Sequence, residues 1–185
     1  MSEADKWNER YRSAADSPIP ATARVLSDNL HLLTAHGRSL DLAAGRGANA
    51  LLLAQHGFES HAWDISDVAI AQLEQAASQQ RLTVHGQCRD AITQPPEPES
   101  FDLIVVSRFL ERTLCPALAE ALKPGGLLFY QTWTVDSSSG PSNPAYRLQR
   151  NELLRLFSGL VVIFYREEGI INAGGGEALL IARRT

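Results

Sequence analysis

Short apolar runs alternate with stretches of helical length through the middle of this chain, and that alternation constrains its fold more than any other feature. Ser39–Ala43, Ser60–Ile65, Leu82–Gln87, Phe101–Val106 and Leu127–Trp133 read as strands. Between them Ala48–His56, Ser66–Gln80 and Leu114–Leu122 have the length and spacing of helices, with Ser66 placed to cap its helix and Pro116 suited to a first turn. Strands that alternate with helices imply crossover connections and a parallel sheet. The runs SLDLAA and FDLIVVS are apolar on both faces, as strands covered by helices on each side should be. After Trp133 the rhythm stops at TVDSSSGPSNPAYRLQ, a long aperiodic segment of the kind that forms a lid or a recognition loop. A helix at Asn151–Phe157 follows. Two strands, Leu160–Glu168 and Ala178–Arg183, are joined by GIINAGGGE, too short a link for anything but an antiparallel pair. The expected architecture is α/β, a mostly parallel sheet with an antiparallel hairpin at its edge.

Ahead of the alternation, Ala4–Arg12 suits a short helix and SPIP at 17–20 a turn. Ala21–His36 then reads as a helix, with apolar positions at Val25, Leu26, Leu30, Leu32 and Leu33 and a stop at Gly37. A length of 185 residues fits one domain, here a helical cap over 1–36 on a core over 37–185. The net charge of −4 argues against a nucleic-acid surface, and no apolar run reaches the ~18 residues of a membrane span. The first residues, MSEADKWNERYRS, are charged, and the two cysteines, Cys88 and Cys115, make neither a disulfide framework nor a zinc pattern. The expectation is a cytoplasmic chain acting on a small molecule, without nucleic-acid or membrane partners. Nothing in the sequence sets its oligomeric state.

Chemistry begins at DLAAGRGANA, residues 41–50. A strand ends at Asp41, and Gly45-x-Gly47-x-x-Ala50 opens the next helix, where a tight turn and close approach to bare backbone favour glycine. Asp64 closes the second strand 23 residues on, where an acid can take both hydroxyls of a ribose, although an acid there also suits helix capping before Ser66. The phosphate-gripping GxxxxGK[ST] pattern is absent. A dinucleotide fold would prefer an apolar residue at position 41, and an acid beside the turn suits a ligand with an ammonium group and a sulfonium near the ribose.

Asp41-Leu-Ala-Ala-Gly45-Arg-Gly47, Asp64, Arg89-Asp90-Ala91, Phe101-Asp102-Leu-Ile-Val-Val and Leu122-Lys-Pro-Gly-Gly126 resemble, in order, the motifs of class I S-adenosylmethionine-dependent methyltransferases. WNERY at 7–11 and ELLRLF…VVIFYREE look similar to the tellurite-resistance methyltransferase subgroup. The resemblance implies a Rossmann-like three-layer sandwich with sheet order 3-2-1-4-5-7-6 and strand seven antiparallel. It also implies S-adenosyl-L-methionine as cofactor. Asp41 and the turn Ala43–Gly45–Arg46–Gly47 would hold the methionine portion, with Ala43 and Ala48 departing from the strictest glycine pattern. Asp64 would accept the ribose hydroxyls and Ile65 would pack on adenine. Asp90 and Ala91 would meet the adenine edge, against a competing reading of Asp90 as a turn cap before QPPEPES. Ser107 would face the methyl group, and the helix bearing Trp7 and Tyr11 would fold over the cofactor. Lys123-Pro-Gly-Gly is expected to be a helix stop and turn.

Arg108, Trp133, Tyr146 and Arg147 are the candidates for binding the acceptor, with Glu111 and Arg112 suiting either substrate or solvent. No residue announces itself as a general base, so the catalytic residue stays unassigned. His31, His36, His56, His61 and His85 show no metal-ligand spacing on one helix face, and no metal is expected. Two other readings remain open. Gly45–Ala50 also satisfies a nicotinamide-dinucleotide fingerprint, and a cofactor-binding module without activity would need the same motifs.

Overall fold

The computed structural model describes residues 2–33, 36–168 and 176–185. Seven strands form one sheet: β1 (Arg38–Leu42), β2 (Glu59–Asp64), β3 (Val84–Cys88), β4 (Phe101–Ser107), β5 (Leu122–Trp133), β6 (Val161–Glu167) and β7 (Glu177–Arg183). Their order is β3-β2-β1-β4-β5-β7-β6. β1 to β5 run parallel, while β7 lies antiparallel to both β5 and β6. The segment expected to join the last two strands falls mostly on residues 169–175, outside the described residues.

Strand alternation divides the core in two. Leu40, Leu42, Ile104, Val106, Leu128, Tyr130 and Leu180 point to one face, where they meet helices α5 (Cys115–Ala121) and α6 (Glu152–Leu156) through Leu118, Leu153 and the neighbouring Phe157. Leu103, Val105, Phe129 and Ile181 point to the other face and pack on Val25, Leu26 and Leu53, from helices α2 (Arg24–Ser27) and α3 (Ala48–Gln55). Helix α4 (Asp67–Gln80) covers the outer strands, its Ile70 and Leu73 against Ala50 and Ala62. Ser66 caps α4 by accepting from the Ala69 N–H at 3.1 Å, and a proline occupies the first turn of α5.

Two expected elements differ. The segment 21–36 holds only the four-residue α2 and a 3₁₀ turn at Leu30–Leu32, with residues 34–35 outside the described residues. Two of its backbone donors are taken by side chains distant in sequence, one on α3 and one on β5: Ala23 N–H donates to Asn49 Oδ1 and Val25 N–H to Gln131 Oε1. The Asn29 side-chain amide occupies the Val25 carbonyl that the next helical N–H would need. Val25 and Leu26 are buried regardless. At the other place, Leu122–Gly126 is not a turn but the start of β5: Leu122 pairs with Phe101 across a register irregularity, and Gly125 and Gly126 exchange backbone hydrogen bonds with Arg184. Gly125, at φ +82°, permits the bend.

Candidate functional site

A cleft of about 980 Å³ opens at the carboxyl ends of β1, β2 and β4. This is where the crossovers diverge to either side of the sheet, the point at which open α/β folds bind ligands. Its rim includes helix α1 (Glu3–Ser13) and the segment that follows β5.

The turn after β1 forms the near wall. Ala43, Gly45 and Gly47 all have positive φ (54°, 53° and 78°), and α3 starts at Ala48. The two glycines are required for different reasons. A side chain at Gly47 would fall 2.1 Å from Leu73 of α4, whereas one at Gly45 would meet the Tyr11 hydroxyl at 2.7 Å. Gly47 therefore serves helix packing and Gly45 the approach of α1 over the cleft.

The two acids expected to face the cleft behave differently. Asp64 lines it: Oδ2 accepts the Gly45 N–H at 2.7 Å and Oδ1 the Ser66 N–H at 2.9 Å. Burial raises its pKa against the opposing pull of the Ser66, Gly45 and Ile65 N–H groups. A carboxylate has about four lone-pair sites, so acceptor capacity remains for hydroxyls. Asp41 is fully buried and does not reach the cleft; its carboxylate accepts from Asn49 Nδ2 and the Ala50 N–H, both at 3.1 Å. Burial pushes it up to about 7, opposed by those two hydrogen bonds. Asn49, which the sequence reading passed over, borders the cleft instead and also reaches Ser107 Oγ at 3.2 Å. Asp41, expected to hold the methionine portion, here bonds Asn49, the residue that borders the cleft.

The cleft walls also include Ile65, Asp90, Ala91 and Ser107, four of the residues singled out in the sequence, together with Trp63 and Ile92. Asp90 spends its oxygens on the Ile92 N–H and the Thr93 hydroxyl, so it also caps its turn. Arg89 lies 3.8 Å over the Trp63 ring and donates to the Gln94 and Pro95 carbonyls. The Trp63 indole N–H is buried and has no hydrogen-bond partner among the described residues, while its residue borders the cleft. A strand pattern marks Trp63 only as core, which is why it escaped notice.

The outer end is aromatic and cationic. Trp7 and Tyr11 of α1 stack at 5.8 Å, and Arg10 lies 5.0 Å over Trp7. Burial and the Asp64 charge push the Tyr11 phenol above its ordinary range, so it stays a neutral hydroxyl. Arg108, at φ +55°, stands 5.8 Å over Trp133 and 3.7 Å from Glu177. Trp133 and Tyr146 border the same space.

Three arginines are otherwise engaged. Arg46 borders the cleft but donates to the Ala14, Ser17 and Pro18 carbonyls, tying down the chain after α1. Arg147 lies off the cleft wall and donates to the Pro141 and Ser137 carbonyls, which makes it a brace for the loop. Arg112 pairs with Glu152 at 2.7 Å, and Glu111 accepts from Thr113. The histidines do not enter the cleft, but β2 and β3 set His61 directly opposite His85, a pairing that helical spacing cannot reveal.

A family model described as a methyltransferase domain matches residues 11–167. A probable S-adenosyl-L-methionine-dependent methyltransferase, TehB of Haemophilus influenzae, is 27% identical over 172 residues, covering 88% of this chain and 57% of the relative. The chain thus spans little more than half the length of that curated relative. The crystal structure of Haemophilus influenzae TehB superposes with a TM-score of 0.77 at 19% identity, over 97% of this chain and 67% of the other. A structure described for the conversion of a disulfide bond into a thioacetal group during echinomycin biosynthesis also gives 0.77 at 19% identity, over 99% and 92%. The structural likenesses establish the fold.

Proposed function

This chain belongs to the class I S-adenosylmethionine-dependent methyltransferases, and from that premise we propose that it transfers the sulfonium methyl group to a small-molecule acceptor bound at the outer end of the cleft. The observation that carries the reading is Asp64, whose buried carboxylate is bonded to the Gly45 N–H and borders the switch-point cleft with acceptor capacity to spare. The antiparallel β7 between β5 and β6 departs from the 3-2-1-4-5-6 order of dinucleotide folds, which weighs against an oxidoreductase.

The residues present fit the cofactor. Asp64 would take the ribose, Ile65, Ala91 and Trp63 offer apolar walls for a base, and the turn 43–47 with Asn49 and Ser107 would hold the amino-acid end. The cofactor supplies a methyl on a sulfonium whose thioether is a good leaving group. The protein's contribution is then alignment and exclusion of water, which can supply a large share of a barrier reduction. Tyr11 and Trp7 would cover the cleft, and Arg108 and Trp133 would orient the acceptor. No side chain is assigned as a general base, and the acceptor would arrive with its nucleophilic lone pair free or be deprotonated by solvent. A cleft of about 980 Å³ is at the upper end of the ~300–1,000 Å³ of small-ligand sites, room for the cofactor and an acceptor of modest size.

Thermal shift with S-adenosylhomocysteine against NAD, followed by radiolabelled methyl transfer to a panel of thiols, phenols, carboxylates and oxyanions, tests the reading. Stabilisation by the homocysteine product and label on a small acceptor are expected. Stabilisation by NAD alone, or saturable cofactor binding with no transfer to any of the panel, would overturn it in favour of an oxidoreductase or an inactive binding module.

A further inference from the structure

At the end of the sheet away from the cleft, three side chains that are dispersed in sequence converge on one face. Glu59 and His61 are two residues apart on β2, so strand alternation puts both on the same side. His85 is the direct register partner of His61 on β3. One ligand atom from each of the three lies within 4.8 Å of the others, His61 Nε2 and Glu59 Oε1 being 3.0 Å apart.

We propose that Glu59, His61 and His85 form a binding site for a divalent transition-metal ion of the zinc class, separate from the cofactor cleft. Two imidazoles and one carboxylate are borderline donors, suited to Zn²⁺, Ni²⁺ or Cu²⁺ rather than to Mg²⁺ or Ca²⁺. Three protein ligands leave the fourth tetrahedral position to water. Metal–ligand distances of ~2.0–2.1 Å place tetrahedral donors about 3.3 Å apart, so the cluster must contract by roughly 1.5 Å at most. The two freest members can supply that movement. Glu59 is half exposed and His85 exposed, whereas His61 is 11% exposed and held edge-on against Phe101. His85 now stacks on His61 with ring centroids 4.8 Å apart, and a rotation of its ring turns a nitrogen toward the shared point.

One group opposes the ion. The Arg38 guanidinium, on β1, stands 3.3 Å from His61 Nε2 and 3.4 Å from Glu59 Oε1. It is 42% exposed and can swing into solvent, but its charge lowers the site's affinity. The consequence of occupancy is structural. Among the described residues β3 is the sheet edge and pairs with β2 alone, so an ion shared by His61 and His85 would clip the edge strand to its neighbour. His61 precedes the cleft residue Asp64 by three positions, about 10 Å along the strand, so cofactor binding should be indifferent to the ion.

Calorimetric titration of the full chain with zinc chloride, in a buffer without chelating groups, tests the site. One ion per chain at micromolar affinity is expected, with a raised melting temperature. His85→Ala and Glu59→Gln each change an exposed residue and should weaken binding at least tenfold while S-adenosylhomocysteine affinity stays unchanged. Arg38→Ala should tighten it about tenfold, because a repelling cation is removed. Co²⁺ in place of Zn²⁺ should give a visible absorption band that His85→Ala abolishes. Absence of saturable zinc binding, binding unaltered by His85→Ala, or weakening by Arg38→Ala would overturn the proposal.

Discussion

Asp64 concentrates two tasks in one side chain, since it anchors the Gly45 turn and is the acceptor proposed for the ribose. Truncation to alanine would remove both at once; Asp64→Asn keeps the shape and one acceptor oxygen but turns its NH2 toward the Gly45 or the Ser66 N–H, so its fold is to be checked by circular dichroism before affinity is read. Hydrogen bonds to a charged group are worth about 1.5–3 kcal/mol each. A loss of about 3 kcal/mol predicts cofactor affinity lower by roughly a hundredfold in Asp64→Asn, measured by titration with S-adenosylmethionine. Asp67→Ala, in the first turn of α4, should bind like the wild type. Asp41 makes a different prediction. Its folded pKa of about 7 stands above the ~3.9 of an unfolded aspartate, so between these values the folded chain holds more protons than the unfolded one. Stability contributed through Asp41 is therefore intact below about pH 4 and declines as pH rises to about 7. Asp41→Asn, which can still accept from the Ala50 N–H, should show a smaller drop in melting temperature from pH 5 to pH 8 than the wild type. Equal drops in the two proteins would remove the assignment.

Helix α1 is polar overall, and it buries no residue completely. It begins with a capping box, Ser2 and Asp5 each bonding the other's N–H. Its attachments are polar: Asn8 accepts from Ser66 Oγ, Gln72 donates to the Tyr11 carbonyl, and Arg46 grips the carbonyls beyond its end. An element held by such contacts opens at low free-energy cost, as a cover over a ligand site must. Arg46→Ala removes the bonds to the Ala14, Ser17 and Pro18 carbonyls just beyond the helix. It is expected to speed amide exchange across Glu3–Ser13 and to weaken S-adenosylhomocysteine binding about tenfold, a discounted ~1.4 kcal/mol for partly exposed bonds. Unchanged exchange in α1 would show that the helix is held by its packing on α4 alone.

Across the whole molecule, one core cluster supplies cleft walls through Leu42, Trp63, Ala91 and Leu110 and also extends to residues away from the cleft. The Tyr130–Phe157 pair, with ring centroids 5.5 Å apart, belongs to the core cluster beneath α5 and α6, while Phe157 takes no part in the cleft. Phe157→Ala should cost about 3–5 kcal/mol in denaturant unfolding, the usual cost of emptying a buried aromatic site, with cofactor affinity retained. A parallel loss of affinity would mean that this face of the sheet controls the cleft.

The strands β1, β2 and β4, the helices α3 and α4, the cap at Ser66 and the glycine turn are legible in the sequence, because each depends on short-range physics: strand alternation, helical spacing and turn geometry. So was Asp64, since its place at a strand's end follows from that local pattern. The tertiary structure alone decided the rest. Asp41 looks like a ligand residue in its motif, yet its carboxylate bonds the start of α3, whose buried Asn49 borders the cleft. Arg46 and Arg147 are expected from the sequence at the cofactor and the acceptor, yet the carbonyls they bind lie in loops whose paths no periodicity describes. Residues 21–36 carry a helical pattern, but Asn49 and Gln131, distant in sequence, claim the backbone N–H groups near its start. His61 and His85 are 24 positions apart, and only the register of two parallel strands, set by the packing of α4 and the pairing of β2 with β1, makes them neighbours. Local chemistry chose the elements. Burial and pairing between distant segments chose which side chains they present.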